Sequence, residues 1–484
     1  MLLAPVLWFS AGKDGYDMEA EIELPAFSPG VFTRFNCYNA FVRKLVVSSV
    51  WYLDEPAEYL PFKIKSWSTL SLQAQHVPLL PNLDDLGFSG SFTNENEDIS
   101  WISTLISPSV KTLDLHTLDS LSTTVVLGLL AQKTPELRKL SHSLRIVTDR
   151  HDHTFTEKSA TSQLVLSRLA CGHLRSLQQL SYLAINGKFI NLSILLELSH
   201  LPKLDFLSIS QISGHNENFT KTFTDIQLSI ESFPSLQSLQ LESTVLDDIV
   251  AAWNVTPLVS GLTTATIRYI TAPSRTRTVY DDNVLQLVLP SIAASSPHIR
   301  DLVLGAWTNI QLSTKLVDSS WTHVERLPLS YLKLEHFEAN AASFENVYQI
   351  WPRLVVLDIR GQMLTPQHLI YLSQLPGLEK IIAGGFRDME QVPKTQGHGC
   401  SPLQIIEFPW VRDPDMAISA ENVARSVLRG LRLGLVLILP FSLVDRFLLR
   451  LLPQLQQIVY EAIYESKLQR ELELLNKHIR AMRG

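Results

Sequence analysis

PSVKTLDL, residues 108–115, is preceded by PNLDDLGF at 81–88 and followed by PELRKL at 135–140. Aligned on Leu83, Val110 and Leu137, the three stretches share a proline two places before an apolar residue. Two variable residues follow, and then a second apolar residue, Leu86, Leu113 or Leu140. In the first two copies a third apolar residue, Phe88 or Leu115, comes one position further on. Apolar residues separated by one position point to the same face of a short strand, so each stretch predicts a strand with one buried face.

The pattern returns along most of the chain. Clear copies begin at Leu204 (PKLDFLSI), Leu236 (PSLQSLQL), Ile299 (PHIRDLVL), Leu354 (PRLVVLDI) and Leu455 (PQLQQIVY). Weaker ones begin at Val42, Trp67, Leu180, Leu262, Leu329, Leu378 and Leu403. Steps of 27 and 27 residues join Leu83, Val110 and Leu137, and steps of 24 and 25 join Leu354, Leu378 and Leu403. That interval is the period of leucine-rich repeats. Helix-like stretches lie between copies: 122–131, 191–198, 283–294, 344–350, 366–375, 418–428 and 442–451. Thr365-Pro366 and Ser442 supply helix starts. One strand and one helix cannot bury both their apolar faces, but stacked copies can. The expected fold is therefore an α/β leucine-rich-repeat solenoid, a horseshoe with a concave parallel sheet and convex helices.

Departures from the period mark insertions. The 43 residues from Leu137 to Leu180 contain a polar stretch at 149–162, and the 37 from Leu262 to Ile299 contain APSRTRTVYDD at 272–282. Both read as surface loops. The 52 residues from Leu403 to Leu455 hold a further expected strand at 435–439. At the end, Leu468, Leu472, Leu475, Ile479 and Met482 recur at helical steps. That helix reads either as a cap over the last repeat or as a partner surface. The expected organisation is a lead-in over 1–40, the solenoid over 41–460 and a capping helix over 461–484.

Composition narrows the function classes. Of 484 residues, 45% are hydrophobic, and the net charge is −7. A chain with that balance lacks the basic footprint of a nucleic-acid or membrane-surface binder, so neither partner is expected. Cys37, Cys171 and Cys400 are far apart and without CxxC spacing, which favours a reducing compartment. The apolar start MLLAPVLWFS has no basic region before it and runs into Lys13 and Asp14, so no signal peptide is expected. The apolar run 433–444 is interrupted by Pro440 and falls short of the roughly 20 residues of a membrane helix. A cytoplasmic or nuclear location follows.

Chemistry-bearing motifs are sparse. Asp149-Arg150-His151-Asp152-His153 has metal-ligand residue types, but adjacent and on a loop. His398-Gly-Cys400 and Cys171-Gly-His173 lack a third group to orient them. No phosphate loop, nucleophile elbow or HExxH is present. No catalytic residue, metal ligand or cofactor site is therefore assigned, and no enzyme is expected. The default binding surface of such a solenoid is the exposed positions of its strands. Tyr182, Asp205, Phe206, Arg300, Asp301, Asp358, Glu379 and Lys380 lie between inward apolar residues and are the candidate protein-binding residues. Aromatic side chains beside charges are what interface centres use.

The repeats with their helical spacers resemble the repeat arm of fungal F-box/leucine-rich-repeat proteins. The lead-in Phe32-Thr-Arg-Phe-Asn-Cys-Tyr-Asn-Ala-Phe-Val-Arg-Lys-Leu45 is similar to that family's opening string. The resemblance covers roughly 31–460. It implies a substrate-recruiting arm of an SCF-type (cullin-based) ubiquitin ligase, with a Skp-type adaptor held by the F-box and a protein client held by the repeats. The alternative is a ubiquitin-independent interaction scaffold. Leu24-Pro25 is followed at once by Phe27-Ser-Pro29-Gly30 and the lead-in, which leaves no room for a helical F-box. The chain as written is thus expected to bind a Skp-type adaptor only if an F-box is restored.

Overall fold

Among the described residues, each repeat copy becomes a strand whose first residue lies two positions after the copy's first apolar residue. A computed structural model describes residues 7–11, 18–22, 37–48, 78–89, 95–115, 120–142, 169–187, 190–210, 217–244, 246–270, 283–307, 314–315, 323, 325–335, 337–338, 344, 347–386, 405–408, 457–460 and 477. The chain divides into two compact units, Met1–Gln240 and Leu241–Gly484.

In the first unit, β1 (Leu7–Ala11) and β2 (Met18–Ile22) form an antiparallel pair within the lead-in. The repeat strands then run β3 (Lys44–Ser48), β4 (Asp85–Ser89), β5 (Thr112–Leu115), β6 (Lys139–His142), β7 (Tyr182–Asn186) and β8 (Phe206–Ser210). Each pairs in parallel with the next. β9 (Ser238–Thr244) carries the chain into the second unit.

The second unit continues with β10 (Thr264–Ile270), β11 (Asp301–Trp307), β12 (Thr314–Lys315), β13 (Tyr331–Glu335), β14 (Phe337–Glu338), β15 (Val356–Leu364), β16 (Lys380–Phe386), β17 (Ile405–Phe408) and β18 (Gln457–Tyr460). β10, β11, β13, β15, β16, β17 and β18 form successive parallel pairs, while β12 pairs with β14 alone. Such a ladder of short parallel strands, with helices in the connections, is the leucine-rich-repeat fold.

Where a copy carries the repeat's proline, that residue explains the entry to the strand. It sits second in a turn that the copy's first apolar residue closes. The Leu83 N–H donates to the Leu80 carbonyl at 3.2 Å, Val110 to Ser107 at 3.1 Å and Leu354 to Trp351 at 3.1 Å. Proline's fixed φ suits that second position. One carbonyl then anchors the next copy twice. The Asp84 carbonyl accepts from the N–H groups of Lys111 (2.9 Å) and Thr112 (3.0 Å), and the Ser330 carbonyl from Val355 (2.8 Å) and Val356 (3.0 Å). Register therefore passes from copy to copy through backbone at the variable position after the first apolar residue.

All three apolar positions of the pattern are inward. Leu83, Val110, Leu137, Leu204, Ile299 and Leu354 are fully buried, and so are Leu86, Leu113, Leu207, Leu302 and Leu357 in the second position. Leu115, Ile209, Leu241, Leu304 and Ile359 are buried in the third. Burying one such side chain contributes about 2 kcal/mol. In the first unit the helix Ser120–Lys133 packs on this inward face. Its Val126, Leu127 and Leu130 share a small cavity of about 20 Å³ with Leu115, Leu140, Leu183 and Ile185.

The expected helix starts at 191 and 366 are present. Asn191 caps Leu192–Ser199 by accepting from the Ile194 N–H at 3.0 Å. Thr365 caps Pro366–Leu372, and His368 returns a bond by accepting from the Thr365 N–H at 3.1 Å. That second helix ends at Leu372, earlier than expected, because Ser373 begins the turn toward Leu375. β15 and β16 shift register between Ile359 and Met363, and Gly384 sits at the irregularity. A Cβ there would meet the Arg360 carbonyl at 2.8 Å, so the close approach needs glycine. The expected loops at 149–162 and 272–282, the strand at 435–439 and the Trp67 copy lie outside the described residues. So does the helix at 461–484, apart from Lys477.

Candidate functional site

Alternation along each strand sends the variable positions to the face opposite the buried leucines. In the first unit, Lys44, Asp85, Thr112, Lys139, Tyr182 and Phe206 are register partners along one such row. Lys44 and Asp85 pair at 3.1 Å. Lys139 Nζ lies 4.7 Å from the centroid of the Tyr182 ring. The Tyr182 and Phe206 rings stack at 4.3 Å with 4° between their planes. Three adjacent strands thus present a cation and two aromatic faces side by side. The cation–ring contact contributes about 0.5–1 kcal/mol and the ring pair about 0.5–1.5 kcal/mol. Beside this row, Asp84 accepts from Lys111 at 2.7 Å. That bond, with Arg43 nearby, holds the Asp84 carboxyl below its ordinary range.

The second unit carries ionic chemistry on the same kind of face. Arg268 donates to Glu335 at 2.6 Å and also pairs with Glu242, while Lys333, two residues before Glu335 on the same strand, meets it at 2.5 Å. Burial opposes ionisation of Glu335, but the bonds from Arg268 and Lys333 outweigh it and hold the carboxyl at about 2. Burial also opposes the Arg268 charge, and Glu335 and Glu242 more than offset that. Next to this group, Arg360 donates to Asp358 at 2.6 Å, which raises the guanidinium's pKa. Burial, with the Asp358 carboxylate second, pushes the Tyr331 phenol up to about 12. These charges neutralise one another, and the arrangement holds the strands in place.

The candidate residues are dispersed accordingly. Tyr182 and Phe206 are brought into contact, half-buried, with exposed Asp205 next to Phe206. Arg300 and Glu379 are exposed, Asp301 and Lys380 partly so. Asp301 accepts from the Ser330 hydroxyl at 3.1 Å. Asp358 corrects the expectation of exposure: it is fully buried, flanked in register by Lys333 and covered by Arg360.

Lys139, Arg268 and Glu335 were not among the candidates. Lys139 occupies the same repeat position as Tyr182 and Phe206, so alignment of the copies contains the signal. Arg268 and Glu335 fall one residue beyond the third apolar position, where the repeat pattern has already ended. Among the described residues, no group of three or more His, Cys, Asp or Glu side chains is arranged to hold a metal ion. Among them, too, no helix is long and apolar enough to cross a membrane.

No protein-family model and no curated protein matches the sequence. Solved structures give distant likenesses. An internalin from Listeria monocytogenes is 13% identical with a TM-score of 0.30, over 77% of this chain and 88% of that one. A TLR13–ssRNA13 complex gives 14% and 0.32, over 86% and 56%. The Rad7 and Elc1 complex in yeast gives 12% and 0.34, over 83% and 87%. Likenesses this distant say nothing of what the chain binds.

Proposed function

We propose that the chain is a non-catalytic scaffold that binds a protein partner on the strand face of its repeats, with Tyr182 and Phe206 as the anchor of the first unit. The observation that carries this is the stack itself. Two aromatic rings lie in parallel at 4.3 Å, only half-buried, on a face lined with variable residues. Interface centres concentrate energy in such aromatic groups, rimmed by charge. Lys139 and Asp205 supply that rim.

Within this reading, the partner is a client that the chain presents to a ubiquitin ligase. The resemblance of residues 31–460 to an F-box protein's repeat arm supports that finer role. A ubiquitin-independent scaffold is the alternative. The test is affinity purification of the full chain beside a Tyr182→Ala/Phe206→Ala variant, with mass spectrometry of both eluates. The wild-type chain should retain a partner that the variant loses. Cullin and Skp-type subunits in the wild-type eluate would favour the ligase role. Identical eluates would remove the strand face as the docking surface.

A further inference from the structure

In the second unit a groove of about 600 Å³ runs along the leading ends of β10, β11, β13 and β15. It is lined by Gly261, Thr263, His298, Arg300, Pro328, Ser330 and Arg353. His298, Arg300 and Arg353 are all exposed, and no Asp or Glu joins them in the lining. On a chain of net charge −7, this is a local reversal of sign. The nearest acid in sequence, Asp301, accepts from the Ser330 hydroxyl at 3.1 Å and offsets one of these cations, which leaves the lining with an excess of positive charge. The charge complement of this groove is an anion.

The repeat geometry says which kind. His298 and Arg300 flank Ile299 at the start of β11, while Arg353 precedes Leu354 at the start of β15. β13 lies between those strands and pairs with each of them. Neighbouring strands are about 4.8 Å apart, and register sets Arg353 level with His298, two residues before Arg300, so the two arginine backbones are about 11 Å apart. An extended peptide advances about 3.3 Å per residue, so two carboxylates about three residues apart span the same distance. Guanidinium groups pair bidentately with carboxylates, which gives such a segment both charge and direction.

We infer that this groove binds an extended acidic peptide segment carrying two carboxylates about three residues apart, one for Arg300 with His298 and one for Arg353. The inference rests on the protein-binding reading proposed above and assigns the second unit its own ligand chemistry.

The test is a titration of fluorescent peptides into the full chain at physiological salt. The probes are an otherwise neutral peptide with two Glu residues three apart, its Gln/Gln counterpart, its single-Glu counterpart and one carrying a single phosphoserine. The paired-Glu peptide should bind at least tenfold more tightly than Gln/Gln and several-fold more tightly than single-Glu or phosphoserine. Arg300→Gln and Arg353→Gln should each weaken it several-fold, while Lys203→Ala, an exposed cation of the first unit, should leave it unchanged. Equal binding of the Gln/Gln peptide, or none by any probe, overturns the inference. So does phosphoserine binding as tight as paired Glu, which would make this a phosphate site. A loss in Lys203→Ala as large as in the arginine variants overturns it as well, by showing general charge attraction. Failure of the peptides alongside a partner that depends on Tyr182 and Phe206 would remove this groove and leave the scaffold reading intact.

Discussion

Arg268 and Glu335 lie two strands apart and meet at 2.6 Å across Gly305, the register partner of both. A Cβ at position 305 would stand 2.9 Å from Glu335 Oε2 and 3.0 Å from Arg268 Cγ. The glycine is the space through which the ion pair forms. Next-nearest strands touch here because the strand between them offers no side chain at this position.

Gly305→Val should therefore break the Arg268–Glu335 contact and destabilise the second unit by about 1–3 kcal/mol. Urea unfolding measures the loss. The same substitution in an Arg268→Ala background should cost less, because the bridge it obstructs is already gone. Equal costs in both backgrounds would show that Gly305 serves backbone geometry instead.

Acid should loosen the same cluster. The Glu335 carboxyl is held at about 2 against an ordinary 4.5. Its folded pKa is depressed, so its contribution is complete above about pH 5 and disappears as pH falls toward 2. The difference amounts to roughly 3 kcal/mol. Glu335→Gln should be less stable than wild type at pH 7, and the gap should close between pH 5 and pH 2. A gap independent of pH would place the stabilisation in packing alone.

Leu332 tests the repeat's second apolar position. It is fully buried and lies in register with Leu302 on one side and Leu357 on the other. Leu332→Ala should cost about 2–5 kcal/mol in chemical denaturation, as cavities between immovable neighbours do. Ser330→Ala, two residues earlier, just before β13 and outside the core, should cost less than about 1 kcal/mol. Comparable costs would mean that Leu332 does not sit in a packed core.

The strand ladder was legible because each copy carries its own instructions. Proline sets the turn, and apolar residues at fixed spacing set the inward face, so Leu83, Val110 and Leu354 announce their strands without tertiary help. Helices were less legible. Asn191 and Thr365 mark two starts by capping. Glu217–Asp225 contains three Thr and one Asn, which are weak helix formers, and it buries Phe223. Of the candidate residues, Tyr182 and Phe206 are legible in the sequence as aromatic residues at outward positions, whereas Asp358 holds an outward position in the pattern and is buried under Arg360. Side-chain reach across neighbouring strands is not written in any single copy of the repeat.

The central claim is that the partner docks on the strand face of the first unit. Exposed Lys139 lies on that face beside Tyr182, and exposed Ser193 lies on the helix Leu192–Ser199. A photo-crosslinking residue placed at each position in turn reads the docking face directly in cells. Docking on the strand face predicts a partner adduct from position 139, lost on adding Tyr182→Ala/Phe206→Ala, and none from position 193. An adduct from position 193 with none from position 139 would contradict it.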